Sequence, residues 1–214
     1  MSWRPARWFF AYHGPMLGYA IRPTCPARAC EEENVVFETE RLILRPWEDE
    51  DAESLYEYAK DPEVGPIAGW PPHTSVEYSG QIIRDVLSAD ETYAVCLRED
   101  NRAIGSIGLI SPMQSHTEIG ADELEVGYWI GVPFWGRGLI PEATARLVRH
   151  AFEDLGCSAI WCGYYEGNEK SKRCQEKCGF TFHHIERDVP CELMGDVRTE
   201  YFTRLTKEDW LKRP

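Results

Sequence analysis

The sequence has eight cysteines among 214 residues, yet no CxxC pair, and no histidine pair stands at zinc-ligand spacing beside a cysteine pair. That absence sets aside the common structural zinc sites, and no metal is expected. Cys174 and Cys178 stand four apart, Cys157 and Cys162 five apart, and Cys96 and Cys191 alone. This scatter suits free thiols in a reducing cytoplasm better than a disulfide framework. Long apolar runs are missing too, and none approaches the length that spans a bilayer. Positive charge is scarce: Lys and Arg number 23 against 36 Asp and Glu, a formal net charge of −13. A field of that sign repels nucleic acid and anionic membranes and favours a cationic partner. Any polyanion must then be held by a local site. The P-loop pattern GxxxxGK[ST] does not occur.

What is present reads as one globular domain. Hydrophobic residues make up 43% and charged residues 28%, and the length suits one compact core. Residues 1–34 differ, being basic and rich in proline and aromatics, with the apolar "WFFAY" broken by His13, Gly14 and Pro15. They are expected to be a disordered or loosely packed extension, and residues 35–214 the domain. "VVFETERLILRPW" alternates as a strand, and "EDEDAESLYEYAKD" carries Ala52, Leu55, Tyr56 and Ala59 at helical spacing. A Pro/Gly-rich loop leads to a second helix over residues 76–89. Three strand-like runs follow, "TYAVCLRE", "RAIGSIGLIS" and "ELEVGYWIGV". A long amphipathic helix then places Ala143, Leu147, Ala151 and Leu155 on one face and closes at Gly156. "SAIWCGYY" is a strand, "NEKSKRCQEKCGF" a short helix capped by Gly179, and two strands end the chain. The order β-α-α-β-β-β-α-β-α-β-β predicts an α/β (α+β) domain.

Residues 134–143 read "FWGRGLIPEA". Glycines just before a helix let a backbone approach an anion closely, and the unpaired N–H groups of the first turn attract it. Pro141 suits the first helical positions, where its missing N–H is no loss. The dinucleotide pattern GxGxxG is ruled out because Pro141 stands where its third glycine belongs. Taken alone, the stretch reads equally as a phosphate cradle or a plain turn.

Together, "TERLILRPW", "ELEVGYWIGVPFWGRGLIPEA" and "NEKSKRCQEKCGF" resemble the GNAT superfamily of acyl-CoA-dependent N-acetyltransferases, in particular its RimJ/RimL-like group, which acetylates N-terminal amines of ribosomal proteins. The resemblance covers nearly everything beyond the extension. It implies a splayed, mostly antiparallel mixed sheet flanked by helices, with acetyl-CoA as the acyl donor. The family pattern R/Q-x-x-G-x-G/A, which grips the coenzyme A diphosphate, falls on Trp135, Gly136, Arg137, Gly138, Leu139 and Ile140. Trp135 replaces Arg or Gln, as in a WG[KR]G variant of the group, and Ile140 replaces Gly or Ala. The strand over residues 125–132 resembles the one that pairs with the pantetheine arm, which assigns Ile130 and Val132 to the cofactor. Asn168 and Ser171 match an N-x-x-S pattern, implying Asn168 at the cofactor and Ser171 near its sulfur.

Acyl transfer to an amine needs a free amine, a polarised carbonyl and a proton for the departing thiolate. Glu125 is the candidate base, because relatives use an acidic residue on the cleft strand; Glu123, on the same face at period two, is the fallback. Either also reads as an ordinary strand charge. A backbone N–H between Val126 and Tyr128 is the candidate oxyanion donor. Ser171 is the candidate proton donor, and equally a third-position helix residue. Trp70 and Tyr128 are expected to line the acceptor pocket, near the loop "GPIAGWPPH". The expected function is transfer of acetyl from acetyl-CoA to a primary amine, such as a protein N-terminal α-amine, by direct attack in a ternary complex. A small or antibiotic amine as acceptor, or an acyl-CoA-sensing role, remain as alternatives. A cytoplasmic monomer or homodimer is expected.

Overall fold

The computed structural model describes residues 35–213. The expected N-terminal extension therefore lies outside the described residues. Among the described residues, eight strands form one sheet in the order β1-β2-β3-β4-β5-β6-β8-β7. They are β1 (Phe37–Glu38), β2 (Leu42–Arg45), β3 (Thr92–Leu97), β4 (Ala103–Ile110), β5 (Glu123–Ile130), β6 (Ala159–Tyr165), β7 (Thr181–Cys191) and β8 (Asp196–Thr206). The helices are α1 (Ala52–Ala59), α2 (Gly65–Ala68), α3 (Val76–Ile82), α4 (Leu139–Glu153), α5 (Glu169–Cys178) and α6 (Lys207–Leu211). The expected α/β order is kept, with the two-residue β1, the one-turn α2 and the terminal α6 added. Helix α3 runs on as a π-helical turn, Ile83–Leu87.

Every residue of β4 is buried, as suits an apolar, β-branched run in the middle of a sheet. Next to it, β5 alternates between two helical layers. Trp129 meets Trp70 with ring centroids 5.7 Å apart, while the preceding Tyr128 reaches Ser171 of α5. Successive strand residues point to opposite faces, so α5, with α4 packed beside it, covers one face and the segment around Trp70 the other.

Among the described residues the one parallel pairing, β5 with β6, matches Glu123 with Ala159, Leu124 with Ile160 and Glu125 with Trp161, and goes no further. Beyond it β5 stays with β4 and β6 with β8. The two strands diverge into a V whose β5 wall runs from Val126 to Ile130. The strand ends at Ile130 rather than Val132, because Pro133 and its neighbours turn into a 3-10 helix, Val132–Phe134.

Two polar arrangements tie the frame together. Arg45 forks onto Asp51 in the interior, at 2.6 and 2.8 Å, with both residues buried. On α4, Ala143, Leu147 and Ala151 are fully buried as expected, whereas Leu155 is 45% exposed. The helix ends at Glu153, so Leu155 no longer belongs to its inner stripe.

His150, in the last turn of α4, lies between Asp154 at 2.8 Å and Glu91 at 3.2 Å. Burial pushes its pKa down, but the hydrogen bonds of both carboxylates outweigh that and hold it above the ordinary value. A raised folded pKa gives stability that is complete below about pH 6.5 and lost as pH rises through the folded value. The stability difference between wild type and His150→Gln is therefore expected to shrink by about 1 kcal/mol from pH ~6 to pH ~8.5. Urea titrations of the two proteins across that range check it.

Candidate active site

The glycine loop before α4 leaves a run of backbone donors open. Gly136 and Gly138 take φ of +74° and +75°, the left-handed region that glycine enters without strain. Gly138 is the N-cap of α4 and brings no side-chain cap. Among the described residues, the N–H groups of Gly136, Arg137, Gly138, Leu139 and Ile140 meet no backbone carbonyl. A run of free donors at the positive end of a 15-residue helix is what a diphosphate needs. Ile140, the bulky departure from the family pattern, is only 7% exposed and packs into the core, so its backbone stays in the cradle while its side chain leaves it. Trp135 anchors the loop: its indole donates to the Ile130 carbonyl at 2.9 Å, and Lys170 Nζ sits 3.3 Å from the centre of the indole ring system. Arg137 turns its carbonyl to Arg41 at 2.9 Å.

Arg41 is a positioning residue that sequence reading did not single out. It binds the Glu142 carboxylate through Nε at 2.7 Å and Nη2 at 2.6 Å, while Thr39 donates to the same carboxylate at 2.6 Å. Burial pushes Glu142 up, but these donors prevail and keep it below the usual carboxylate range. The β2 edge thereby fixes both the loop and the first turn of α4. The sequence signal was the "TER" triplet opposite an acidic residue just after Pro141.

A cavity of about 1080 Å³ opens on this loop. Ile130, Trp135, Gly136, Gly138, Leu139 and Ile140 line one part of it, α5 supplies Asn168 and Ser171, and Tyr128 belongs to the wall. The far part is formed by α2 and residues 196–199 of β8. Val132, in the turn after β5, and the Arg137 side chain are not on this wall. A smaller recess continues into the V between Gly127 and Gly163.

Asn168 caps α5, its Oδ1 accepting the Ser171 N–H at 3.1 Å. Ser171 Oγ accepts from Gln175 Nε2 at 3.1 Å and lies 3.2 Å from the Tyr128 hydroxyl. Burial pushes the Tyr128 hydroxyl well above its ordinary pKa, so it keeps its proton. The expected grouping of Trp70 with Tyr128 is not what the fold brings together. Trp70 is buried against Trp129 on the other face of the sheet and is not on the cavity wall.

Glu125 lies at the root of the V and is buried. Its carboxylate accepts from the Ser115 hydroxyl at 2.8 Å and the His116 N–H at 2.9 Å, and pairs with the His116 ring at 2.8 Å. Burial works against the charge, but His116 and Ser115 prevail, and its pKa is lowered. The same ring nitrogen is 3.7 Å from Glu200 of β8. A methyl group added to Gly163 would meet the Glu200 carboxylate at 2.6 Å, which places that carboxylate behind the cleft wall. His116 falls in the "MQSHTEIGAD" connector, which carries no strand or helix pattern that would mark it. Glu123, the fallback base, is taken up by the Trp161 indole at 2.7 Å and by Arg204. Among the described residues no group of three or more His, Cys, Asp or Glu is placed to hold a metal ion, and no helix is long and apolar enough to cross a membrane.

The family model for the acetyltransferase (GNAT) domain matches residues 41–181. Uncharacterized N-acetyltransferase YoaA of Bacillus subtilis (strain 168) is 29% identical over 150 residues, 68% of this chain and 82% of that protein. Among solved structures, an acetyltransferase of the GNAT family from Bacillus anthracis superposes with a TM-score of 0.71 at 21% identity, covering 81% of this chain and 99% of the other. Ribosomal-protein-S5-alanine acetyltransferase from Vibrio fischeri superposes with a TM-score of 0.64 at 20% identity, covering 85% and 100%. These likenesses and the splayed sheet converge: the chain belongs to the GNAT acetyltransferase family and is an acetyl-CoA-dependent N-acetyltransferase.

Proposed function

We propose that the acceptor is the α-amine of a peptide or protein N-terminus, acetylated by direct attack with both substrates in one cavity. The observation that carries this is the continuity of the cavity. A single space touches the glycine cradle, the Tyr128–Ser171 pair and the α2–β8 opening, so donor and acceptor can meet without a carrier residue. The acceptor side includes Glu63 and Glu166, which suit a cationic chain end, while Asp196 there is taken up by Arg198 at 2.9 Å.

Acetyl-CoA supplies the acetyl group as an activated thioester, and the chain's own groups do the rest. Backbone donors of residues 136–140 would hold its diphosphate, and Asn168 caps α5 at Ser171. Ser171 and Tyr128, hydrogen-bonded to each other, supply the proton that the departing sulfur takes up. Glu125 acts through the buried Glu125–His116–Glu200 group, which draws the amine's proton through water past Gly163. An α-amine has a pKa near 8 against ~10.4 for lysine, so its free form is a few hundredfold more abundant at neutral pH. A base set back from the cleft wall suits that easier acceptor.

Thiol release measured against a peptide panel tests the reading. A peptide with a free α-amine is expected to react at least about a hundredfold faster than an Nα-blocked peptide offering only lysine. The Vibrio fischeri enzyme shares the fold, so an alanine-initiated peptide is a sensible first member of the panel. Turnover of small amines alone, with every peptide inert, overturns the assignment.

A further inference from the structure

The one-turn helix α2 joins the two arms of the V at the acceptor end. Just after it, Trp70 packs against Trp129 of β5, with ring centroids 5.7 Å apart. Its other contacts go to the opposite arm. Gly69, its C-cap at φ +96°, lies so close to Tyr165 of β6 that an added Cβ would come within 2.9 Å of that ring. The Cys191 thiol donates to the Gly69 carbonyl at 3.3 Å, and Arg198 of β8 donates through Nη1 to the Pro66 carbonyl at 2.7 Å. A single helical turn has little cohesion of its own, so its place is set by what grips it from the two arms. Arg198 grips from a fixed position. Its Nε and Nη2 fork onto the two Asp196 carboxylate oxygens, both at 2.9 Å, which leaves Nη1 aimed at α2. The guanidinium lies 4.8 Å from the centre of the Tyr165 ring, and only 16% of the side chain is exposed. The planar group is thus oriented by Asp196 and Tyr165 before it meets Pro66.

We propose that Arg198 is a positioning residue for the acceptor: its bond to Pro66 sets how far α2 stands from β8, and thereby where the incoming amine sits relative to the thioester. Pro66, Tyr165 and Arg198 all line the acceptor end of the cavity, so a shift of α2 changes the shape of that end directly. The glycine cradle is built from other elements, the loop after β5 and the start of α4, and does not depend on this bond. The charge of Arg198 pulls the other way. A cation at the opening opposes a cationic chain end, so electrostatics alone would have acceptor binding improve when it is removed. Loss of a clamp has the opposite sign, because an α2 free to move no longer aligns the amine. The two roles are therefore separated by the direction of the effect.

The inference rests on a peptide acceptor entering between α2 and β8, so acceptor kinetics and coenzyme A binding are measured separately on the full chain. In Arg198→Met, the KM for a peptide with a free α-amine is expected to rise at least about tenfold, while the coenzyme A Kd in calorimetry stays within about twofold. Arg198→Lys keeps the charge but cannot fork onto Asp196 and hold Pro66 together, so it is expected to recover only part of the loss. An unchanged or lower peptide KM in Arg198→Met overturns the clamp. So does a matched loss of coenzyme A affinity and melting temperature, which would mean that Arg198 supports the fold as a whole. Wild-type protein that acetylates small amines and no peptide overturns the acceptor reading, and this inference with it.

Discussion

Gly138→Asp is expected to weaken coenzyme A binding by a few hundredfold in isothermal titration calorimetry. With a diphosphate held by the loop, the substitution would set a second negative charge beside it, and two unit charges about 5 Å apart at an effective dielectric of ~20 repel by about 3 kcal/mol. Crowding within the protein does not explain such a loss. A Cβ at Gly138 would find only Arg41 Nη2, at 3.7 Å. Backbone strain is separated by a control at the other end of α4. Gly156 also has a positive φ, +71°, and open space around its Cβ position. Gly156→Asp should therefore share the cost of the left-handed backbone, about 1 kcal/mol of stability, and leave coenzyme A affinity within about twofold. Equal loss in both variants, or normal binding by Gly138→Asp, would remove the cradle.

This loop could be read from the sequence because its signals are local. Glycines at positive φ, a proline in the first turn and an amphipathic run all lie within a few residues of one another. The same holds for Asn168, a helix cap whose partner Ser171 is three residues on. Other parts of the site depend on register between distant segments. Tyr128 meets Ser171 across 43 positions, and only because β5 and β6 stop pairing at Glu125 and Trp161. Alternation along β5 then puts Tyr128 on the α5 face and Trp129 against Trp70, which separates two aromatics that composition alone groups together. Arg41 reaches Glu142 across 101 positions, and His116 comes from a connector to stand between Glu125 and Glu200. None of these pairings has a periodic signature. The burial of Ile140 is legible only once the inner face of α4 is known.

Tyr128→Phe is expected to lower the single-turnover rate of acetyl transfer by about a hundredfold, the lower end of what a positioned proton donor contributes. The change removes one oxygen and keeps the ring that lines the cavity, so the KM for acetyl-CoA should move by no more than about threefold. Ser171→Ala should lose a similar factor. The informative measurement is the pair together. Tyr128 and Ser171 lie 3.2 Å apart and would form one proton path, so the double variant should be little slower than either single one. Multiplying losses would mean two independent roles. An unchanged rate in Tyr128→Phe would leave Ser171 as the sole donor. A purely structural role would appear instead as matched falls in melting temperature and coenzyme A affinity. The pH profile adds a separate reading. Burial holds the Tyr128 hydroxyl well above its ordinary value near 10, so the donor stays protonated throughout the neutral range. The wild-type rate should then show no alkaline fall below about pH 10 that Tyr128→Phe abolishes. An alkaline limb near pH 8 that disappears in Tyr128→Phe would mean that the hydroxyl titrates and that the proton comes from elsewhere.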